Sequence, residues 1–165
     1  MRKVVSNTTP LISLSKISKI ELLKLIYQEI IIPEGVVEEY ERGKNKKFYR
    51  DISKFDWIKV KKVENEKTFE FLLDLDKGEA ESIVLAKNIK ADLLIIDELR
   101  GREFARLKGL TITGTVGVLL KAKEKKLIQT ALPFVYELKE KGIWINDNLI
   151  QYVKEIEKDI DILPH

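Results

Sequence analysis

A parallel β-sheet with helices on its faces, an α/β fold, is predicted by three features of the sequence. Strand-like and helical periodicity alternate along the whole chain, the pattern of strand–helix–strand units. A length of 165 residues with 44% hydrophobic content suits one domain with a real core, residues 1–165. No internal repeat, low-complexity tract or linker divides it.

The elements follow in order. Residues 2–6 form a short β-branched run that stops at Ser6-Asn7-Thr8-Thr9, after which Thr9 caps a helix started by Pro10. Residues 29–32 make the next strand, and Pro33 sits in the first turn of a helix running to about Arg42. The polar, lysine-rich stretch 43–54 opens on Gly43 and reads as a mobile loop or clamp. A weaker strand, "WIKV", spans 57–60; a helix near 65–73 follows, and a second opens at Asp76. "LLIID" at 93–97 and "LTIT" at 110–113 complete the strands. "TGTVGVLLKAKEKK" at 113–126 is a helix entered through a glycine turn, and 130–141 and 146–160 are two more. The last carries Leu149, Ile150, Val153, Ile156 and Ile160 on one face, which docks it on the domain in preference to a partner.

Composition narrows the chemistry. With no cysteine, and His165 at the terminus as the single histidine, disulfides, thiol catalysis and thiolate metal sites are excluded. Any metal would be held by oxygen ligands, which points to a hard cation such as Mg2+ or Mn2+. No apolar run reaches the roughly 18 residues of a membrane span and no signal peptide opens the chain, so no membrane and a cytoplasmic location are expected. The net charge of +3 neither demands nor forbids a nucleic-acid partner. Basic clusters at 42–50, 59–62, 100–108 and 121–126 read either as phosphate-attracting surface or as solvated exterior. Lys, Glu and Ile richness without cysteine matches proteins of hot environments.

In an open α/β sheet, sites form past the carboxyl ends of the strands. Asn7 follows the first strand and Asp97 closes the 93–97 strand. Helical faces select two further residues at about 100° per residue. In the helix after Pro33, Glu38 points away from Val36, Val37 and Tyr40, whereas Glu39 borders that apolar face. In the helix after Asp76, Glu79 stacks with Ile83 and Ala86, whereas Glu81 groups with Lys77 and Asn88 on a polar face. Plainer readings stand beside these: Asp76 and Glu79 have the spacing of a capping box, Asp97 could cap a helix beginning near Leu99, Glu39 could be an ordinary boundary residue and Asn7 a turn residue. Together, carboxylates crowded at one sheet edge repel one another unless a divalent cation neutralises them. Such a cation can activate water for phosphodiester cleavage.

"VVSNTTPLISLSKI", "IIIPEGVVEEY", the stretch from "LDKGEAESIVLAK" through "LLIIDELRGREFARLKGLTITGTVGVLLKAKEKKLI", and "GIWINDNLI" resemble the PIN-domain family. More narrowly they resemble its archaeal and bacterial branch with "GEAE" and "GTxGVLL" motifs, close to the toxins of VapBC toxin–antitoxin pairs. The resemblance covers almost the whole chain and is weakest in the lysine-rich middle. It implies a three-layer α/β/α sandwich around a parallel sheet, with an acidic Mg2+ or Mn2+ site that cleaves RNA. It also implies an antitoxin protein that shields the cleft, and a homodimer. Position by position, the family's four acidic places fall on Asn7, Glu39, Glu79 and Asp97, which are thereby the expected catalytic and metal-binding residues. Thr8 takes the place of a small hydroxyl residue, Arg102 fits a basic position with a phosphate-binding or structural role, and Thr115 starts a helix beside the site.

The departure is Asn7, which keeps an oxygen ligand and loses a negative charge, so cation affinity should fall. The expected activity is that of a weak, Mg/Mn-dependent endoribonuclease; the alternative is a catalytically weakened RNA-binding or regulatory module. A phosphate-binding P-loop is excluded, since "TGTVG" is too short and lacks the lysine. Trp57 and Trp144 read as core or interface residues.

Overall fold

The computed structural model describes residues 1–64 and 73–163. Five strands, β1 (Val4–Ser6), β2 (Ile30–Pro33), β3 (Ile58–Lys61), β4 (Leu93–Ile95) and β5 (Ile112–Thr113), form one sheet in the order β3-β2-β1-β4-β5, and every pairing is parallel. The helices are α1 (Thr8–Lys16), α2 (Leu22–Tyr27), α3 (Glu34–Glu41), α4 (Lys77–Asn88), α5 (Leu99–Leu107), α6 (Thr115–Glu124), α7 (Leu132–Glu140) and α8 (Asp147–Ile162). The helix expected near 65–73 falls on 65–72, outside the described residues.

Alternation along the strands builds the three layers. Val4, Ile30, Ile32, Leu93 and Ile95 face one side, where α1, α2, α3, α6, α7 and α8 supply Leu11, Leu23, Val36, Leu119, Val135 and Val153. Val5, Ile31, Leu94 and Ile96 face the other, covered by Ile83, Val84 and Ala105 of α4 and α5. The expected α/β/α sandwich is thus the observed one. Trp57 is core, whereas Trp144 is 83% exposed. Helix α8 docks through Ile150 and Val153 as its apolar stripe requires. Helix α2 went unforeseen because six residues are too few for a clear period.

Two boundaries differ from expectation. Pro33 ends β2 in extended conformation at the N-cap position of α3, so it precedes the helix and does not lie in its first turn. Helix α1 begins at Thr8 with Asn7 at its cap position, which moves Thr9 into the first turn and out of the capping role. Within 43–54 a 3-10 turn, Ile52–Lys54, is capped by the Asp51 side chain. Chain order reverses between β1 and β4: β2 and β3 continue to one side, and β5 lies on the other. That switch point opens a crevice at the carboxyl ends of β1 and β4.

Candidate active site at the carboxyl edge of the sheet

Asn7 leaves β1 still on the ladder, its N–H donating to the Ile95 carbonyl at 2.9 Å. Its side chain is 1% exposed and caps nothing in α1. Instead Nδ2 donates to Glu98 Oε2 at 3.1 Å, and Oδ1 has no hydrogen-bond partner. The Thr9 hydroxyl donates to the other Glu98 oxygen. Glu98 is therefore held by two donors from the first strand–helix turn.

Glu39 stands on the border of the α3 apolar face, half-buried, while Glu38 is exposed and pairs with Lys77 at 3.0 Å. The Thr8 hydroxyl donates to Glu39 Oε2 at 2.6 Å and the Gly78 N–H to Oε1 at 2.8 Å. Burial raises the Glu39 carboxyl above its usual range; these two donors pull it down, and the Asp76 carboxyl beside it pushes it up again. Glycine is needed at 78 because a β-carbon there would run into the Glu39 carboxylate.

Glu79 fulfils both of its readings. It closes a capping box, with Glu79 N–H donating to Asp76 Oδ1 at 2.8 Å and Asp76 N–H to Glu79 Oε2 at 3.1 Å. It is also buried among acids: burial first, then Asp76, Glu98 and Glu39, push its carboxyl up to about 7. Glu81 departs from the polar face assigned to it. It is 5% exposed and accepts the Gly35 N–H at 2.7 Å, so it neutralises the N-terminus of α3.

Asp97 does not cap α5, whose N-cap position is Glu98. Its carboxylate turns to α6, accepting the Thr115 N–H at 2.7 Å and the Thr115 hydroxyl at 2.6 Å. Burial raises its carboxyl, against the pull of Thr115 and Arg102. A β-carbon at Gly114 would lie 2.6 Å from Asp97 Oδ1, so the glycine turn serves this close approach. Arg102 donates to the Ile96 carbonyl at 2.9 Å, which fits the structural side of its expected role. The basic run 121–126 does not adjoin the strand ends: it lies at the far end of α6, and Lys123 there is buried between Glu157 at 3.0 Å and Asp161 at 2.9 Å.

The four expected acidic places thus share one crevice, linked through Glu98, which touches Asn7 and repels both Glu79 and Asp97. Sequence reasoning missed Glu98 and saw Asp76 only as a cap. No local pattern marked Glu98, because its partners Asn7 and Thr9 lie 91 and 89 residues earlier in the chain. The donors are all oxygen, and the orphaned Asn7 Oδ1 is a polar atom that a hard cation would satisfy, so the residues fit such an ion. Among the described residues no three acidic side chains stand in a ready ligand cluster; each carboxylate described above instead accepts protein donors.

A parallel-sheet α/β domain with acids gathered at its switch point defines a class found among hydrolytic and phosphoryl-transfer proteins. The family model that matches, over residues 3–158, is described as a PIN domain. The chain belongs to the PIN-domain family. PIN domains are typically nucleases and generally depend on divalent metal ions. No curated protein and no solved structure matches the chain. No helix among the described residues is long and apolar enough to cross a membrane.

Proposed function

We propose that the chain is a weakly active, Mg2+- or Mn2+-dependent endoribonuclease of the VapC-like toxin branch. The observation that carries this reading is the buried, unpartnered Asn7 Oδ1 set against the acidic side chains of the crevice. Glu39, Glu79, Asp97 and Glu98 with Asn7 would hold the cation. When bound, it would supply a water of lowered pKa and neutralise phosphate charge. Thr8 and the Gly78 N–H orient Glu39, while Asn7 and Thr9 orient Glu98. Without a cation the Glu79 carboxyl is raised to about 7 by burial and its acidic neighbours, so binding of the ion would displace a proton from it at neutral pH. Arg100, in the first turn of α5 and paired with Asp74 at 3.5 Å, would attract a flanking phosphate of the strand. An antitoxin covering the crevice and a homodimer belong to the same proposal; size-exclusion chromatography with light scattering of the purified chain tests the dimer.

The test of the charge argument is Asn7→Asp across a magnesium titration. The aspartate form should cleave single-stranded RNA faster and reach half-maximal rate at lower Mg2+; equal rates throughout would refute the argument. A second reading, an RNA-binding module with little catalysis, is favoured by one observation: both Asp97 oxygens already accept from Thr115. If Glu79→Gln and Asp97→Asn leave cleavage unchanged, a contaminating nuclease explains the activity and the binding reading stands.

A further inference from the structure

At the opposite end of α1 from the acidic crevice, about 13 Å along the helix, the chain closes a pocket of about 430 Å3. Its lining is cationic, with Lys16, Lys47, Arg50 and Lys141 and no acidic side chain. Two of these ammonium groups are fixed by crossed bonds to helix ends: Lys16 Nζ donates to the Lys141 carbonyl at 3.3 Å and Lys141 Nζ to the Lys16 carbonyl at 2.9 Å. A helix C-terminus carries about half a negative charge, so a full ammonium over each leaves an excess. Arg50 pairs with Glu21 at 2.9 Å through Nη2 and lies over the Phe55 ring, 5.3 Å from its centroid, an arrangement that leaves N–H donors at the guanidinium edge. Glu137 lies 3.5 Å from Lys141 and offsets part of its charge. Lys47 has no hydrogen-bond or ion-pair partner among the described residues. The pocket therefore keeps a positive balance, and two of its cations have capacity to spare.

The fifth feature is Phe48, whose ring centroid lies 5.4 Å from Lys16 Nζ and which also lines the pocket. An aromatic ring beside cations is the pairing that receives a base together with its phosphate. The volume falls within the range of small-molecule sites and far exceeds a bare phosphate ion. An acidic peptide would satisfy the cations and leave the ring unused. At the rim, Ser18 sits at a backbone bend with φ 56° and is exposed, a hydroxyl within the lining for a sugar or base edge. We propose that this pocket binds a nucleotide, its phosphate on Lys47 and Arg50 and its base against Phe48. The lysine-rich loop of 43–50 is then the clamp over that nucleotide, a role the acidic crevice leaves open.

The test is calorimetric titration of the whole chain in EDTA with 5′-AMP, adenosine and inorganic phosphate. AMP should bind at least tenfold more tightly than either fragment, and weaken as salt rises from 50 to 200 mM. Lys47→Ala with Arg50→Ala should weaken AMP at least tenfold. Phe48→Leu, which keeps an apolar side chain for folding, should weaken AMP and leave phosphate unchanged. Amide shifts on AMP addition should fall on 15–18 and 47–50. AMP no tighter than phosphate, an undiminished affinity in the double variant, or shifts confined to Asn7, Glu79 and Asp97 would each overturn the proposal. A labelled single-stranded RNA decamer identifies the source: competition with AMP means that the pocket holds a nucleotide of a strand, and independent binding means a free nucleotide.

Discussion

Glu79→Gln should stabilise the metal-free chain at pH 8 and leave it nearly unchanged at pH 5. A carboxyl titrating near 7, where an unperturbed one titrates at 4.5, is held back from ionising by about 3 kcal/mol. The sign follows from proton counting. Because the folded-state value is raised, the folded chain holds the extra proton between the two values; stability is full below 4.5 and is lost as pH rises through 7. At pH 8 the wild-type chain carries that cost, shared with Asp76, Glu98 and Glu39, which reduces the part assignable to one side chain to roughly 1–3 kcal/mol. Glutamine removes the charge and keeps a carbonyl oxygen for the Asp76 N–H. The assay is urea denaturation in EDTA at the two pH values, followed at pH 8 by addition of Mn2+. Manganese should raise the midpoint of wild type well above that of the variant. Equal destabilisation of the variant at both pH values would refute the electrostatic reasoning, since a cap and a packing contact act alike at pH 5 and 8.

Three further outcomes are expected. Glu157 accepts Thr130 Oγ1 at 2.6 Å and the N–H groups of Ala131 and Leu132, besides pairing with buried Lys123. Glu157→Ala should therefore cost about 3–5 kcal/mol in chemical denaturation, because three donors lose their acceptor and the buried ammonium keeps only the exposed Asp161. Thr115→Val removes one of two donors from Asp97 at nearly constant volume; a loss of about 1–3 kcal/mol, read by thermal melts, is expected. Ser13 Oγ is buried without a partner, so Ser13→Ala should be neutral or stabilising by up to about 2 kcal/mol, where a loss would mean an unseen partner.

Much of the architecture was legible because strands buried on both faces announce themselves: "LLIID" and the runs at 2–6 and 29–32 became three adjacent strands. Helical faces also anticipated that Glu39 borders the apolar face of α3 and that Glu79 is turned inward on α4, since a 100° step distinguishes a border residue from an exposed one. The same rule failed for Glu81, because α4 is flanked by α3 as well as by the sheet, and a second neighbour buries what a single apolar stripe leaves outside. Asp97 left the capping role open to it for a related reason. Neither Asp97 nor Glu98 caps α5 with its side chain, because Thr115, 18 residues further on, engages Asp97, and Asn7 and Thr9 engage Glu98; local spacing carries no information about those partners. Lys123 read as surface until α8 laid Glu157 and Asp161 over it.

The crossed bonds of Lys16 and Lys141 join residues 125 apart in sequence. During synthesis, chains emerge from the N-terminus first. The Lys16 carbonyl at the end of α1 must then wait for its lysine donor until residue 141 has emerged, whereas the Leu14 and Ser15 carbonyls are satisfied locally by Lys19 and Ser18. The cationic pocket lined by both lysines forms only after that, so any ligand held there would bind only a chain on which α7 has already been made.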